Sequence, residues 1–155
     1  MGRGKEAAEP LKEQAESEQR ELQARGNRAL RTELNKGSNW DALVAAVQRD
    51  VAEFVENFPR AKTQVLRAVL LNPNNLTIST QVQPLLRIEV IRDYGRSGVT
   101  VSVSRQRGWE EASGVSPNYG YTPEGFTDGS RVYAPEQFAS EIFEHVTDFF
   151  GPDAS

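Results

Sequence analysis

Apolar residues recur at three- and four-residue spacing between residues 39 and 58, which predicts one face of an amphipathic helix. Pro59 follows and must end or kink that helix, because proline lacks a backbone N–H and its ring clashes with the preceding turn. We therefore predict a kinked amphipathic helix against which the rest of the chain packs. Its predicted apolar face consists of Trp40, Leu43, Val44, Val47, Val51, Phe54, Val55 and Phe58.

The preceding residues, 5–36, are mostly Glu, Gln, Lys, Arg and Ala, which are strong helix formers. Apolar positions are too few for a sustained coiled coil. Gly26 interrupts the pattern, and Gly37 is predicted to stop this helix before Ser38 caps the next one. We predict a charged helical arm over residues 1–36, partly disordered and least ordered in its first dozen residues. The arm either stays solvated or pairs with a partner or with its own copy.

The spacing of apolar residues between 61 and 70 favours a second short helix after Pro59, with a strand over residues 65–71 as the alternative. Residues 72–75 form a turn, and the apolar period then changes from 3.6 to 2. Alternation over residues 76–82, 86–90 and 99–103 predicts an antiparallel meander of three to five strands with one apolar and one polar face. The turn at Gln83-Pro84 and a hairpin loop over residues 93–98 separate these strands.

Residues 105–130 show no clear period and predict an irregular loop rich in glycine and aromatic residues. Within it, Asp128-Gly129 suits a tight turn and predicts a small edge hairpin. Pro135 starts a closing helix whose aromatic face packs on the core, and Gly151-Pro152 ends it. The predicted fold class is α+β, with a single domain over residues 37–151 and a tail over 152–155.

The net charge of −4 is distributed unevenly, because residues 1–60, 61–107 and 108–155 carry −1, +5 and −8. The basic middle and the acidic end either neutralise each other in the fold or leave a basic sheet face for an anion or nucleic acid. The chain has no cysteine, which excludes disulfides, thiolate nucleophiles and cysteine-ligated zinc. The sequence contains neither a signal peptide nor an apolar run of about 20 residues, so we expect a cytoplasmic protein without membrane contact.

Motifs of enzyme chemistry are scarce in this sequence. The phosphate-binding loop and the dinucleotide fingerprint are absent, and Gly114-Val115-Ser116 lacks the last glycine of a nucleophile elbow. His145 stands one turn from Glu141 and Asp148, but a single histidine is too few for most metal sites or catalytic triads. We expect no catalytic residue, cofactor or metal, and the sequence favours a protein that is not an enzyme.

Arginines on or beside the strands, together with aromatics of the loop at 108–130, form the candidate binding set. Its members are Arg87, Arg92, Arg96, Arg105, Arg107, Trp109, Tyr119 and Tyr121. The favoured hypothesis is an interaction or adaptor-like module that uses the arm and the loop to contact a protein partner or its own copy. The alternatives are binding of an anionic ligand or nucleic acid through the arginines, and a small enzyme with a site beside the loop.

Overall fold

The computed structural model describes residues 2–93, 98–116 and 118–151. Its helices are α1 (Gly2–Asn57), α2 (Pro59–Thr63) and α3 (Pro135–Phe149). Its strands are β1 (Arg67–Asn72), β2 (Asn75–Ser79), β3 (Leu85–Asp93), β4 (Gly98–Arg107), β5 (Glu110–Val115), β6 (Tyr119–Thr122), β7 (Gly125–Thr127) and β8 (Val132–Tyr133). The predicted α+β class is confirmed, but the sheet has eight strands instead of three to five.

Every pair of neighbouring strands is antiparallel, and the sheet runs in the order β1-β2-β3-β4-β6-β7-β8. Strand β4 is long enough to have two partners on the edge away from β3. Its first residues, Gly98 and Val99, pair with β6, and its second half pairs with β5. One half of the sheet therefore continues to β8, whereas the other half ends at β5.

The second half of α1 and the whole of α3 cover one face of the sheet, which we call the inner face. Trp40, Leu43 and Val47 on α1 are at most 2% exposed, as the predicted stripe requires. The alternating strand residues and the aromatic face of α3 complete the core, as predicted. These buried residues include Leu76, Ile78, Leu86, Ile88, Val90, Val99, Val101, Phe126, Phe138, Ile142, Val146, Phe149 and Phe150.

The predicted stop at Gly37 and the cap at Ser38 are wrong, because α1 continues through both residues and through Gly26. A glycine inside a helix costs only about 1 kcal/mol relative to alanine, so tertiary contacts on both sides can offset it. Asn35 Nδ2 donates to the Pro123 carbonyl at 2.9 Å and Asn39 Nδ2 donates to the Thr122 carbonyl at 3.4 Å. The Ser38 hydroxyl donates back to the Asn35 carbonyl within the helix instead of capping a new one.

The helix predicted after Pro59 is only partly present. α2 ends at Thr63, and the alternative, a strand near residues 65–71, is the one that forms as β1. Ala68 pairs with Ile78 and Leu70 pairs with Leu76, so the apolar spacing belongs to a strand at the sheet edge. Over so short a segment, the same apolar residues fit the spacing of a helix and that of a strand. The hydrogen bonds to β2 favour the strand.

The prediction of an irregular loop over residues 105–130 is also wrong, because β5 and β6 lie within it. The small hairpin predicted there is confirmed, with Phe126 paired to Tyr133 and Thr127 paired to Val132. The predicted tail at 152–155 and most of the hairpin loop at 93–98 lie outside the described residues. The division into an arm over 1–36 and a domain over 37–151 stays a prediction.

Candidate functional site: a groove beside the free edge of the sheet

Strands β4 and β5 form a hairpin whose two loop residues are Gly108 and Trp109. Arg107 and Glu110 are paired across the loop, and Gly108 has a φ of +61°, the sign that the first position of a tight hairpin turn requires. Trp109 is fully exposed at the tip, at 103% of its reference area. The hairpin therefore presents a large aromatic side chain to solvent at the end of the sheet.

Within the described residues β5 pairs with β4 alone, so its other edge is free and carries unpaired backbone groups. Pairs in an antiparallel ladder alternate between hydrogen-bonded and non-bonded ones, and Ser116 N–H donates to the Val101 carbonyl at 2.8 Å in a bonded pair. Gly114 and Ala112 then bond to β4 as well, so the N–H and C=O groups of Glu111, Ser113 and Val115 point away from it. All six residues of β5 are exposed.

A groove runs along the inner face of this hairpin, between the hairpin and α3. It consists of three neighbouring concavities of about 410, 240 and 260 Å³, whose lining residues overlap. Its lining contains small or apolar residues of both strands, polar residues toward the hairpin loop and one residue of α3. These are Val101, Val103, Arg105, Arg107, Glu110, Glu111, Ala112, Ser113, Gly114, Val115, Ser116 and His145.

Small residues on β5 keep the groove open. Gly114 lies opposite Val103 and Ala112 lies opposite Arg105, so neither position of β5 places a large side chain over its partner on β4. A Cβ atom added at Gly114 would meet no atom within 4 Å. A larger residue at position 114 would therefore fill part of the groove without disturbing the strand.

Arg107 fixes the end of the groove by binding the C-terminus of α3. Its guanidinium donates to the Phe149 carbonyl at 3.3 Å and lies 5.5 Å from the centre of the Phe149 ring. Arg60 donates to the next carbonyl, that of Phe150, at 2.6 Å. Cations at this end of a helix satisfy orphan carbonyls and complement the helix dipole, so Arg107 has a structural partner.

Arg105 lies in the same groove and is half-buried. It shares the inner face with the buried Leu86, its partner on β3. Among the described residues no carboxylate lies within ion-pair distance of its guanidinium, and no hydrogen bond reaches it. Its fork of N–H donors suits a carboxylate or phosphate that enters from solvent.

His145 is the residue of α3 that lines the groove, beside Val103 and Gly114. Sequence reasoning placed it near Glu141 and Asp148 on one side of a helix, and did not associate it with β5. Within the described residues no group of three or more histidines or carboxylates could hold a metal ion. His145 therefore contributes a polar ring to the wall of the groove.

The other candidate arginines lie elsewhere. Arg87 is on the outer face, where its guanidinium contacts the Glu89 carboxylate at 2.8 Å. Arg92 lies on the inner face, 4.9 Å from the Trp40 ring centre, and donates to the Asn74 side chain and the Pro73 carbonyl. Arg96 is outside the described residues. The structure thus brings together Arg105, Arg107 and Trp109, but neither Arg87 nor Arg92.

The two candidate tyrosines pack against the core. The Tyr119 ring centre lies 4.5 Å from that of Phe138, and the Tyr121 ring centre lies 5.5 Å from that of Phe126. Burial, followed by the nearby Asp128 carboxylate, raises the pKa of the Tyr119 hydroxyl. Both rings lie apart from the residues that line the groove.

Two ion pairs connect acidic residues of the C-terminal part to α1, not to arginines of the sheet. Arg28 is 3.5 Å from Glu124 and Arg49 is 3.6 Å from Glu136. All four side chains are more than half exposed, so each pair contributes little stability. Neither contact involves Arg105.

No protein-family model, curated protein or solved structure matches this chain. None of its described helices has the length and apolar character needed to span a bilayer. The groove and the free edge of β5 are therefore the features of this protein that indicate a function.

Proposed function

We propose that this protein is an interaction module that binds an extended peptide segment along the free edge of β5. The observation that supports this best is the combination of an exposed six-residue edge strand with a groove that holds an arginine without an ion-pair partner among the described residues. Strand addition uses such an edge, because its unpaired backbone groups bond to the backbone of the incoming segment.

The size of the site suits a short segment. Residues 111–116 extend about 17–20 Å at roughly 3.3 Å per residue, which matches a peptide of about six residues. Alternate side chains of that peptide would enter the groove, where Val101, Val103 and Ala112 favour small apolar groups. Backbone bonds would supply affinity, and the groove would select the sequence.

A carboxylate on the segment is the group that Arg105 recognises. A charge-assisted bond to a half-buried guanidinium is stronger than a neutral one, and it fixes the register of the peptide. Trp109 at the tip adds an aromatic contact of the kind that dominates many interfaces. The expected partner is therefore an extended segment with one acidic residue, or a free C-terminus, among small apolar residues.

Ser113→Pro is expected to weaken peptide binding roughly 5- to 30-fold while leaving the fold intact. Proline removes the outward N–H of residue 113, and a lost backbone bond of this kind, with the ring in the way, costs about 1–2 kcal/mol. A random decapeptide library selected on the full-length chain supplies the probe peptides. Their affinities for both proteins are then measured by calorimetry.

Ser113→Ala is the matched control, because it removes the hydroxyl and keeps the N–H. It should bind the selected peptides as tightly as the unmodified chain does. Failure to select any peptide, or equal binding by the proline variant, would contradict strand addition at β5.

The anionic-polymer alternative has weaker support in this geometry. Arg87 and Arg105 point to opposite faces of the sheet, since Arg87 pairs with Ser104 and Arg105 with Leu86. The candidate arginines in the described residues are therefore divided between the two faces. On the inner face, Arg92 and Arg107 already bind the Pro73 and Phe149 carbonyls, which weakens the case for a basic face that a nucleic-acid backbone could follow.

The enzyme alternative needs a proton donor and acceptor held together in the groove. Glu110 and His145 both line parts of the groove, but no hydrogen bond joins them in the described part of the chain. The binding function is therefore the one that the groove supports best.

A further inference from the structure

The first half of α1 extends away from the folded body. Its side chains are exposed from Glu6 to Arg31, and within the described residues Arg28 contacts Glu124 of the body at 3.5 Å. At 1.5 Å per residue, the part before Arg28, residues 2–27, is about 39 Å long. A single helix of this kind gains little stability by itself, which raises the question of what stabilises it.

Charge divides this exposed helix into two halves of opposite sign. Residues 6–21 contain six glutamates and two basic residues, for a net charge of −4. Residues 22–36 contain four basic residues and one glutamate, for a net charge of +3. The change of sign lies between Glu21 and Arg25, close to the middle of the segment.

We propose that the arms of two copies of this chain pair in antiparallel orientation. Antiparallel pairing places the acidic half of each arm beside the basic half of the other, whereas parallel pairing places like charges together. A helix with two halves of opposite charge and nearly equal length is complementary to itself, and this selects a second copy as the occupant. The inference is independent of the groove beside β5.

In the antiparallel pair, a two-fold axis between Leu22 and Gln23 places each residue of one arm opposite the residue of the other arm that is equally far from the axis. That axis puts Leu11 opposite Leu34 and Ala15 opposite Leu30, so exposed leucines meet apolar partners. The four leucines are 58–70% exposed and lie within an arc of roughly 140° at 3.6 residues per turn. Burial of these side chains would favour association, and charge would set the orientation.

Charged residues show the same match about this axis. Glu9 falls opposite Lys36, which also contacts Glu33 of its own arm at 2.7 Å. Of the three exceptions to the general pattern, Lys12, Arg20 and Glu33, the first and the last fall opposite each other. Arg20 falls beside Arg25 near the axis, where Glu21 of each arm neighbours both. Two of the three exceptions are therefore complementary, and the third lies beside a glutamate of each arm.

The test measures the mass of the full-length protein by light scattering at low and high salt. We expect twice the chain mass of 17.2 kDa at low salt and a weaker dimer at high salt. Two variants invert the charge of one half each: Glu13→Arg, Glu16→Arg and Glu18→Arg change the acidic half from −4 to +2, and Arg28→Glu with Arg31→Glu changes the basic half from +3 to −1. Each variant alone should raise the dimer dissociation constant roughly tenfold or more, because attraction becomes repulsion.

An equimolar mixture of the two variants should recover the dimer, since the inverted half of each now meets a complementary half of the other. Circular dichroism checks that both variants keep their helix content. A monomeric full-length chain at low salt would overturn the proposal. So would a dimer that neither variant weakens, or a mixture that stays monomeric although each variant is folded.

Discussion

Trp40→Ala is expected to lower the free energy of unfolding by about 3–5 kcal/mol, the range for a buried tryptophan replaced by alanine. Trp40 is 1% exposed and holds α1 against the turn between β1 and β2. Its indole N–H donates to the Pro73 carbonyl at 3.0 Å, and the Arg92 guanidinium lies 4.9 Å from its ring centre. The alanine variant leaves a cavity. It also removes the hydrogen-bond donor to the Pro73 carbonyl and the aromatic ring beside the Arg92 guanidinium.

Urea unfolding followed by circular dichroism measures this loss. The control is Trp109→Ala, because Trp109 is fully exposed and its removal should change the free energy by less than about 0.5 kcal/mol. A loss below about 1 kcal/mol for Trp40→Ala would contradict the position of α1 on the sheet.

Arg105→Glu is expected to weaken binding of a selected carboxylate-bearing peptide by roughly 10–100-fold. A hydrogen bond to a charged group contributes about 1.5–3 kcal/mol, and the substituted glutamate also repels the incoming carboxylate. Protein stability should change little, because Arg105 has no ion-pair partner among the described residues. Calorimetric titration of the full-length variant measures the affinity.

Arg87→Glu is the matched control on the outer face, where it removes the contact with Glu89 and leaves the groove untouched. It should bind the same peptide with unchanged affinity. Should Arg87→Glu weaken binding as much as Arg105→Glu, the peptide would lie on the outer face and the assignment of the groove would be wrong.

Much of the core could be predicted from local spacing. Trp40, Leu43 and Val47 recur at helical spacing, and Leu86, Ile88 and Val90 alternate as one face of a strand. Burial imposes both periods on the sequence, so the pattern is visible without the structure. Pro135 likewise marks the start of α3, because its fixed φ suits the first turn of a helix.

The sequence pattern did not predict strand β5, because neither face of this strand is buried. All six of its residues are exposed, so burial does not impose an alternating pattern on Glu110–Val115. Only the pairing with β4, set by the turn at Gly108, makes it a strand. The same absence of burial makes β5 available for a partner.

The candidate site was predicted only in part for the same reason. Arg105, Arg107 and Trp109 were identified from charge and aromatic content, but their grouping with His145 depends on α3 lying over the β4–β5 hairpin. The local spacing of apolar residues does not indicate a contact between residues about 40 positions apart in the sequence. Which N–H groups of β5 are free depends in turn on the hydrogen-bond register between β5 and β4.

Amide hydrogen exchange of the full-length protein, with and without a selected peptide, tests strand addition most directly. We expect slower exchange at Glu111, Ser113 and Val115, whose N–H groups point away from β4. Ala112 and Gly114 already bond to β4 and should change little. Uniform change along β5, or protection confined to the other long edge strand, β1, would contradict the proposed binding mode.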